Sequence, residues 1–160
     1  MRYVTVSELI FINGKILNDP LIMSGKQKIR DIDLLLAAEQ RPQASAFGQD
    51  AYPTLEEKAA ALLHSVARNH PFKDGNKRTA LMALLFMLHI NGSVPVWARE
   101  EALERVLDVA EGRHDSGMFA QWLRLAVTDS QPDADLQQDT RLIDSLMLEH
   151  KWLLDELAIR

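Results

Sequence analysis

Residues 81–90 are apolar at every position except His89. A helix that is apolar on all sides is stable only when other elements surround it, so this run predicts a buried central helix that begins near Asn76. Asn91 and Gly92 follow it and supply the left-handed residue with which many helices end. The rest of the chain must cover this helix, and 160 residues are enough for one such core.

The covering elements are predicted to be helices as well. Thr5 and Thr54 each stand three residues before a glutamate, which is the capping-box pattern of a helix start, and Asp31 can cap a short helix. Apolar residues at helical spacing predict further helices over residues 100–111, 116–127 and 139–160. The expected fold is all-α, with six to seven helices and a short loop or hairpin.

Charge divides the chain into a body and a tail. Of 23 acidic and 18 basic residues, 8 and 3 lie in residues 128–160, which leaves a neutral body over residues 1–127. Residues 128–138 are polar and contain Pro132 and three aspartates, so we expect a linker there. The predicted organisation is a domain over 1–127, a linker over 128–138 and an amphipathic helix over 139–160.

The composition also excludes several classes of protein. A neutral body offers no general basic surface for nucleic acid. The absence of cysteine excludes disulfides and thiol chemistry. Neither a leader segment nor an apolar run of membrane-spanning length is evident, so we expect a cytoplasmic protein without a membrane partner.

The polar segment before the central helix, residues 70–80, reads HPFKDGNKRTA. Gly75 permits a positive φ or the close approach of a ligand. The first N–H groups of the helix that follows lack intrahelical partners and attract anions. Lys77 and Arg78 place positive charge at a helix end where the macrodipole already disfavours it. We therefore expect an anion such as a phosphate to bind there and offset this charge.

Other side chains of this segment fit phosphate chemistry. Asp74 can hold Mg²⁺, which often bridges a carboxylate and substrate phosphates. His70 can accept a proton near neutral pH. Asn76 can orient either a phosphate or the loop itself, and Phe72 is predicted to anchor the loop in the core. The alternative is a polar loop that only caps a core helix, but many positions here serve one chemical purpose together.

The segment resembles the Fic/Doc signature, His-x-Phe-x-Asp-Gly/Ala-Asn-Lys/Gly-Arg, and within that family it resembles the Doc (death-on-curing) toxins. Lys77 stands where Fic adenylyltransferases have a glycine, and Leu81 stands where they have a second arginine, three residues after Arg78. The resemblance covers residues 1–125 or so and implies an all-α fold with a flap beside the active site.

The resemblance also implies an activity. A Doc-type toxin transfers the γ-phosphate of ATP, with Mg²⁺, to a threonine of elongation factor Tu and so arrests translation. Its partner is a Phd-like antitoxin whose segment covers the site. Two alternatives remain open: AMP transfer despite Lys77, and a non-catalytic Doc-like scaffold that binds a partner.

The flap would lie within residues 41–53, which read as a loop because they contain two prolines and a glycine. In the family a target segment can pair with the flap by strand addition. Phe47 is an apolar residue in this polar loop and could contact a target. Packing of its ring on the body is the slightly favoured alternative.

The tail is not explained by the resemblance. Its apolar stripe could pack on the body, form a homodimer contact, or lie in the antitoxin groove as a built-in mimic, in that order of preference.

Ser145 and Glu149 match the inhibitory Ser/Thr-x-x-x-Glu motif of some Fic proteins, but we interpret the match as chance because Leu81 removes the arginine that the glutamate would pair with. The histidines predicted to be structural are His64, His89, His114 and His150.

Overall fold

The computed structural model describes residues 1–19 and 28–160, and most of these residues are helical. The sequence of residues 21–29 is polar without periodicity and predicts an irregular segment, but most of it lies outside the described residues. The described α-helices are α1 (Val6–Leu17), α2 (Ile32–Gln40), α3 (Leu55–Asn69), α4 (Asn76–Ile90), α5 (Arg99–Ala110), α6 (Ser116–Trp122), α7 (Leu136–Glu149) and α8 (Lys151–Ala158). A short 3₁₀ helix, Arg41–Gln43, follows α2.

Helix α4 is the centre of the fold and has the bounds that the apolar run predicts. Every residue from 79 to 88 is buried. Helix α3 packs along α4, and α1, α5, α7 and α8 contact it as well. The all-α prediction is therefore confirmed, with the uniformly apolar helix surrounded by amphipathic ones.

The predicted helix starts are also confirmed. Thr5 and Glu8 form a reciprocal capping box at α1, and the Asp31 carboxylate accepts hydrogen bonds from two N–H groups of α2. At α3 the Thr54 hydroxyl accepts a hydrogen bond from the N–H of Glu57. These contacts satisfy helix N–H groups that would otherwise lack partners.

Two small antiparallel sheets join the helices. Strands β1 (Ser45–Ala46) and β2 (Gln49–Asp50) form the expected flap hairpin. Strands β3 (Ser93–Pro95) and β4 (Leu125–Val127) pair with Val94 opposite Ala126. The prediction of one helix over 116–127 is therefore wrong in its last part.

The early end of α6 has a physical cause. Leu123 is extended, with φ −64° and ψ 129°, and the Arg124 carbonyl accepts a hydrogen bond from the N–H of Val96. The Arg124 guanidinium turns back and donates to the carbonyls of residues 121, 122 and 123. Pairing with a distant strand replaces helix hydrogen bonds that local periodicity favours.

The tail forms two helices where one was expected, which brings the count in the described residues to eight. Helix α7 begins at Leu136, inside the expected linker, with Asp135 as its N-cap. The helical conformation is interrupted at His150, and α8 begins at the next residue. Helix α7 packs on α4, and α8 packs on both α4 and α5 of the same chain. The buried apolar side chains of the two helices are Ile143, Leu146, Leu153, Leu154 and Leu157. None of the helices in the described ranges is long and apolar enough to cross a membrane.

Candidate active site

His70 stands where α3 ends. It adopts a left-handed conformation, φ 53° and ψ 61°, which is uncommon for a residue other than glycine. Pro71 follows and cannot continue the helix, because it has no N–H and restricts the residue before it. The His70 side chain lines a cleft that it shares with the start of α4.

The loop from His70 to α4 is held from behind by an extended segment. The N–H groups of Arg30 and Asp31 both donate to the Pro71 carbonyl, at 2.8 and 3.1 Å. Ile29 forms an antiparallel bridge with Phe72. Because two segments far apart in the sequence pair here, the loop has a fixed backbone course.

Phe72 and Asn76 lock the middle of the loop. The Phe72 ring is buried, as predicted, and its N–H donates to Asn76 Oδ1 at 3.0 Å. Asn76 Nδ2 donates in return to the Phe72 carbonyl at 2.9 Å. Of the two roles open to Asn76 from the sequence, these contacts favour orientation of the loop.

Gly75 is required by both conformation and space. Its φ is 73°, and a Cβ at this position would come within 3.1 Å of Leu17 Cδ2 and 3.3 Å of Ile16 Cγ2. The loop therefore lies tightly against α1. This contact explains how α1 can position the site.

Asn13 is a site residue that sequence reasoning missed. It is fully buried in α1, and its Nδ2 donates to the Asp74 carbonyl at 3.0 Å and to Thr79 Oγ1 at 3.1 Å. Asn13 therefore ties the loop before α4 to the first turn of α4. The sequence feature that could have identified Asn13 is its place as a polar residue on the apolar helix face formed by Leu9, Ile12 and Ile16.

The start of α4 presents unsatisfied donors. Its N-cap, Gly75, has no side chain to cap the helix, and the first backbone hydrogen bond runs from the Thr79 N–H to the Gly75 carbonyl. The N–H groups of residues 76–78 donate to nothing in the described part of the chain. Arg78 likewise pairs with no described residue, so both kinds of donor remain free for an anion.

The cleft beside these donors has a volume of about 320 Å³. Its lining includes every residue of the predicted phosphate and proton-transfer set: His70, Asp74, Gly75, Asn76, Lys77 and Arg78. The opposite wall comes from the end of the chain described here, with Leu157, Ala158 and Arg160. Lys77 Nζ donates to the Arg160 carbonyl at 2.8 Å, a contact with the tail that the sequence did not predict.

Asp74 can take part in a magnesium site but cannot form one alone. Its side chain is exposed, and Oδ1 accepts a hydrogen bond from the Gly75 N–H at 2.8 Å. The described residues contain no cluster of three or more carboxylates or histidines that could hold a metal. A single carboxylate beside an anion site fits Mg²⁺ that is bound mainly through substrate phosphates and water.

The flap hairpin lies outside the lining of this cleft. Phe47 and Gly48 form its turn with φ 55° and 76°, the positive values that a two-residue hairpin loop favours. The Phe47 ring is fully exposed at the tip of this turn. Packing of Phe47 on the body is therefore wrong, and contact with a target remains a prediction.

The base of the flap is fixed by Arg41. Its Nε donates to the Tyr52 hydroxyl at 2.9 Å, and its Nη1 lies 2.6 Å from His64 Nδ1. Burial, and then the Arg41 charge, lower the pKa of His64. A guanidinium only donates, so His64 Nδ1 accepts, which agrees with a structural role for His64.

Glu149 lies away from the cleft, as the chance interpretation of the Ser145 match requires. Its carboxylate is 4.0 Å from His150 Nε2 and interacts with His89, near the last residue of α4. The cleft is at the first residue of α4, about 20 Å away along a helix of this length. Glu149 is not among the residues that line the cleft.

Residues 3–88 match the sequence model of the Fic/DOC family. This match covers more than half of the chain and contains the loop and the start of α4. The chain belongs to the Fic/DOC family. Within the matched region, the family signature from His70 to Arg78 forms one wall of the cleft.

The chain is also similar to the toxin Doc of Mycolicibacterium smegmatis, with 58% identity over 72 residues. The aligned part is 45% of this chain and 55% of that relative. The Fic/DOC chain described here thus spans about half the length of the curated relative that it matches.

Proposed function

We propose that this Fic/DOC protein is a Doc-type toxin that transfers the γ-phosphate of ATP to a hydroxyl group of a protein. The distribution of cations along α4 carries the proposal. Lys77 and Arg78 line the cleft in the first turn, whereas Leu81 is fully buried in the core. Along α4 a triphosphate therefore meets positive charge in the first turn and none at position 81, which suits its terminal phosphate. Lys73, before the helix, and Arg160, on the opposite wall, also line the cleft.

His70 acts as the general base in this reaction. It accepts the proton of the attacking hydroxyl while the hydroxyl oxygen bonds to the γ-phosphorus. The bond from that phosphorus to the β–γ bridging oxygen breaks, and ADP leaves with the electron pair. Phosphoryl transfer depends mostly on positioning and charge stabilisation, and the fixed loop supplies the first of these.

Three groups stabilise the negative charge of the phosphoryl oxygens: the Lys77 ammonium, the Arg78 guanidinium and the free N–H groups of α4. Lys77 exchanges its hydrogen bond with the Arg160 carbonyl for the phosphate. Asp74 is the residue that would hold Mg²⁺, and the ion when bound supplies further neutralisation of phosphate charge.

The target and the partner are part of the same proposal. The relative's name, toxin Doc, supports a toxin with an antitoxin partner, and the resemblance to Doc toxins favours a Phd-like antitoxin. The resemblance at Lys77 and Leu81 favours a threonine of elongation factor Tu as the acceptor, with arrest of translation in the cytoplasm as the result. The apolar stripe of the tail packs on its own chain, so a homodimer would need another surface.

Isotope transfer tests this function directly. Purified protein is incubated with elongation factor Tu, Mg²⁺ and ATP that carries the label on either the α- or the γ-phosphorus. The proposal expects the γ-label on a threonine and no α-label. Transfer of the α-label would show AMP transfer, and transfer of neither label would favour a partner-binding scaffold. His70→Ala is the catalytic control, and His114→Ala, at a histidine outside the cleft, is the matched control.

A further inference from the structure

Arg30 is an exposed residue whose side chain contacts only backbone in the described part of the chain. Its Nε donates to the His70 carbonyl at 2.6 Å, and its Nη2 donates to the Asn69 carbonyl at 2.8 Å. No described carboxylate forms an ion pair with it, although Asp31 and Asp33 are close in sequence. The guanidinium therefore spans two successive carbonyls at the end of α3.

These two carbonyls need such a partner. The last carbonyls of a helix have no intrahelical donor, and a cation is favourable at that end of the macrodipole. Pro71 has no N–H, so it cannot supply the hydrogen bond that usually closes a helix end. Arg30 supplies the donors instead, from a segment 40 residues earlier in the chain.

The contact also bears on the conformation of His70. The left-handed conformation is strained for a residue other than glycine, so it persists only where its surroundings fix it. His70 has that conformation, and its own carbonyl is the one that Arg30 Nε holds. Rotation of His70 back to a right-handed conformation would move this carbonyl and redirect the imidazole.

We propose that Arg30 is a positioning residue that holds the His70 backbone in the left-handed conformation and so directs the imidazole into the cleft. This role rests on the proposed function of His70 as the general base. Arg30 lies outside the lining of the cleft, so it acts on the reaction only through His70. A lysine at position 30 keeps the positive charge but has one donor nitrogen in place of the two separate nitrogens, Nε and Nη2, that hold the two carbonyls.

Kinetics of Arg30→Ala separate this role from a merely structural one. Loss of the contact is expected to lower kcat by about tenfold to a hundredfold, the effect of a small misplacement of a reacting group. The KM for ATP should stay within about twofold, since Arg30 does not contact the nucleotide site. Arg30→Lys should recover part of kcat. Arg141→Ala, at an exposed arginine of α7, is the matched control and should change neither constant.

A spectroscopic readout keeps the test independent of activity. The ring signals of the five histidines are recorded by NMR, and those of His70 are identified by their loss in His70→Ala. Arg30→Ala should shift the His70 signals and leave those of His89 and His150 in place. If the wild-type protein transfers no phosphate, the proposed function fails, but this shift still decides the role of Arg30.

Two results would overturn the positioning role. One is an unchanged kcat together with unchanged His70 signals in Arg30→Ala. The other is a general loss, in which all five histidine signals and the ATP affinity change together with the melting temperature. If Arg30→Ala does not fold, the same measurements on Arg30→Lys decide between these outcomes, because that variant keeps a donor at the helix end.

Discussion

The residues of the candidate site divide into those that face the cleft and those that hold the backbone. His70, Lys77 and Arg78 direct polar groups into the cleft. The side-chain amides of Asn76 and Asn13 instead form hydrogen bonds with carbonyl and N–H groups of the loop. This division gives the reacting groups fixed positions, which catalysis by positioning requires.

The first prediction concerns His70. His70→Ala should lower phosphate transfer by about a hundredfold to ten-thousandfold, the range for loss of a general base. ATP binding, measured by calorimetry, should change by no more than about twofold because the cations of the cleft remain. Normal growth arrest by the variant at the usual expression level would show that another group takes the proton.

At the scale of elements, the start of α4 is the feature that carries the proposed chemistry. A loop that is locked against α1 leads into a helix whose first N–H groups are free. Every residue of the same helix from Thr79 to Leu88 is buried, so the donors at its first turn are held in fixed positions. The buried part of α4 thus fixes the exposed part.

The second prediction concerns this first turn. Lys77→Ala and Arg78→Ala should each weaken ATP binding by about tenfold to a hundredfold, as expected for loss of a charged hydrogen bond. Lys151→Ala is the control, since this exposed lysine pairs, among the described residues, only with Asp155 in the adjacent turn of α8. Unchanged affinity in both cleft variants would place the phosphate elsewhere.

The third prediction concerns Mg²⁺. ATP should bind the wild-type protein more tightly with Mg²⁺ than after its removal by a chelator, and Asp74→Ala should abolish the difference. Asp33→Ala, at an exposed aspartate of α2, is the matched control. Equal affinity with and without Mg²⁺ in the wild type would contradict the role given to Asp74.

At the scale of the whole molecule, the tail completes the core and reaches the cleft. Helices α7 and α8 cover α4 and α5, and the turn after α8 places Arg160 against Lys77. A buried ion pair from Arg2 to Asp139 joins the start of the chain to α7 at 2.6 Å. The tail is therefore part of the same packed unit as the body.

The fourth prediction tests the packing of the tail. Leu153→Ala should lower the free energy of unfolding by about 2–5 kcal/mol, because Leu153 is buried. Leu148→Ala, at a leucine that is largely exposed, should change it by no more than about 0.5 kcal/mol. Urea unfolding measures both. The reverse order of effects would mean that the tail does not pack as described.

The fifth prediction concerns pH. Burial lowers the pKa of His64, His89 and His150 in the folded protein, while the unfolded chain keeps the ordinary value near 6.5. Below that value the unfolded state binds more protons, so stability is complete above about pH 6.5 and falls as the pH decreases through it.

Urea unfolding at several pH values between 8 and 5 measures this dependence. His150→Gln should make it shallower because one of the three groups no longer titrates. Stability that rises as the pH falls from 7 to 5.5 would contradict the prediction.

The sequence alone determined the features that depend on neighbouring residues. The bounds of α4 follow from an apolar run, and the starts of α1, α2 and α3 follow from local capping patterns. The candidate site could be predicted for the same reason, since its polar groups lie within nine consecutive residues before and inside α4.

Only the tertiary structure decided what depends on distant partners. Strand β4 replaces the end of a predicted helix because β3 pairs with it. Asn13 and Arg30 hold the loop from 61 and 40 residues away, and Arg160 reaches Lys77 across 83 residues. Periodicity shows which face of a segment is apolar or polar, but the partner that this face meets is fixed only when the whole chain packs.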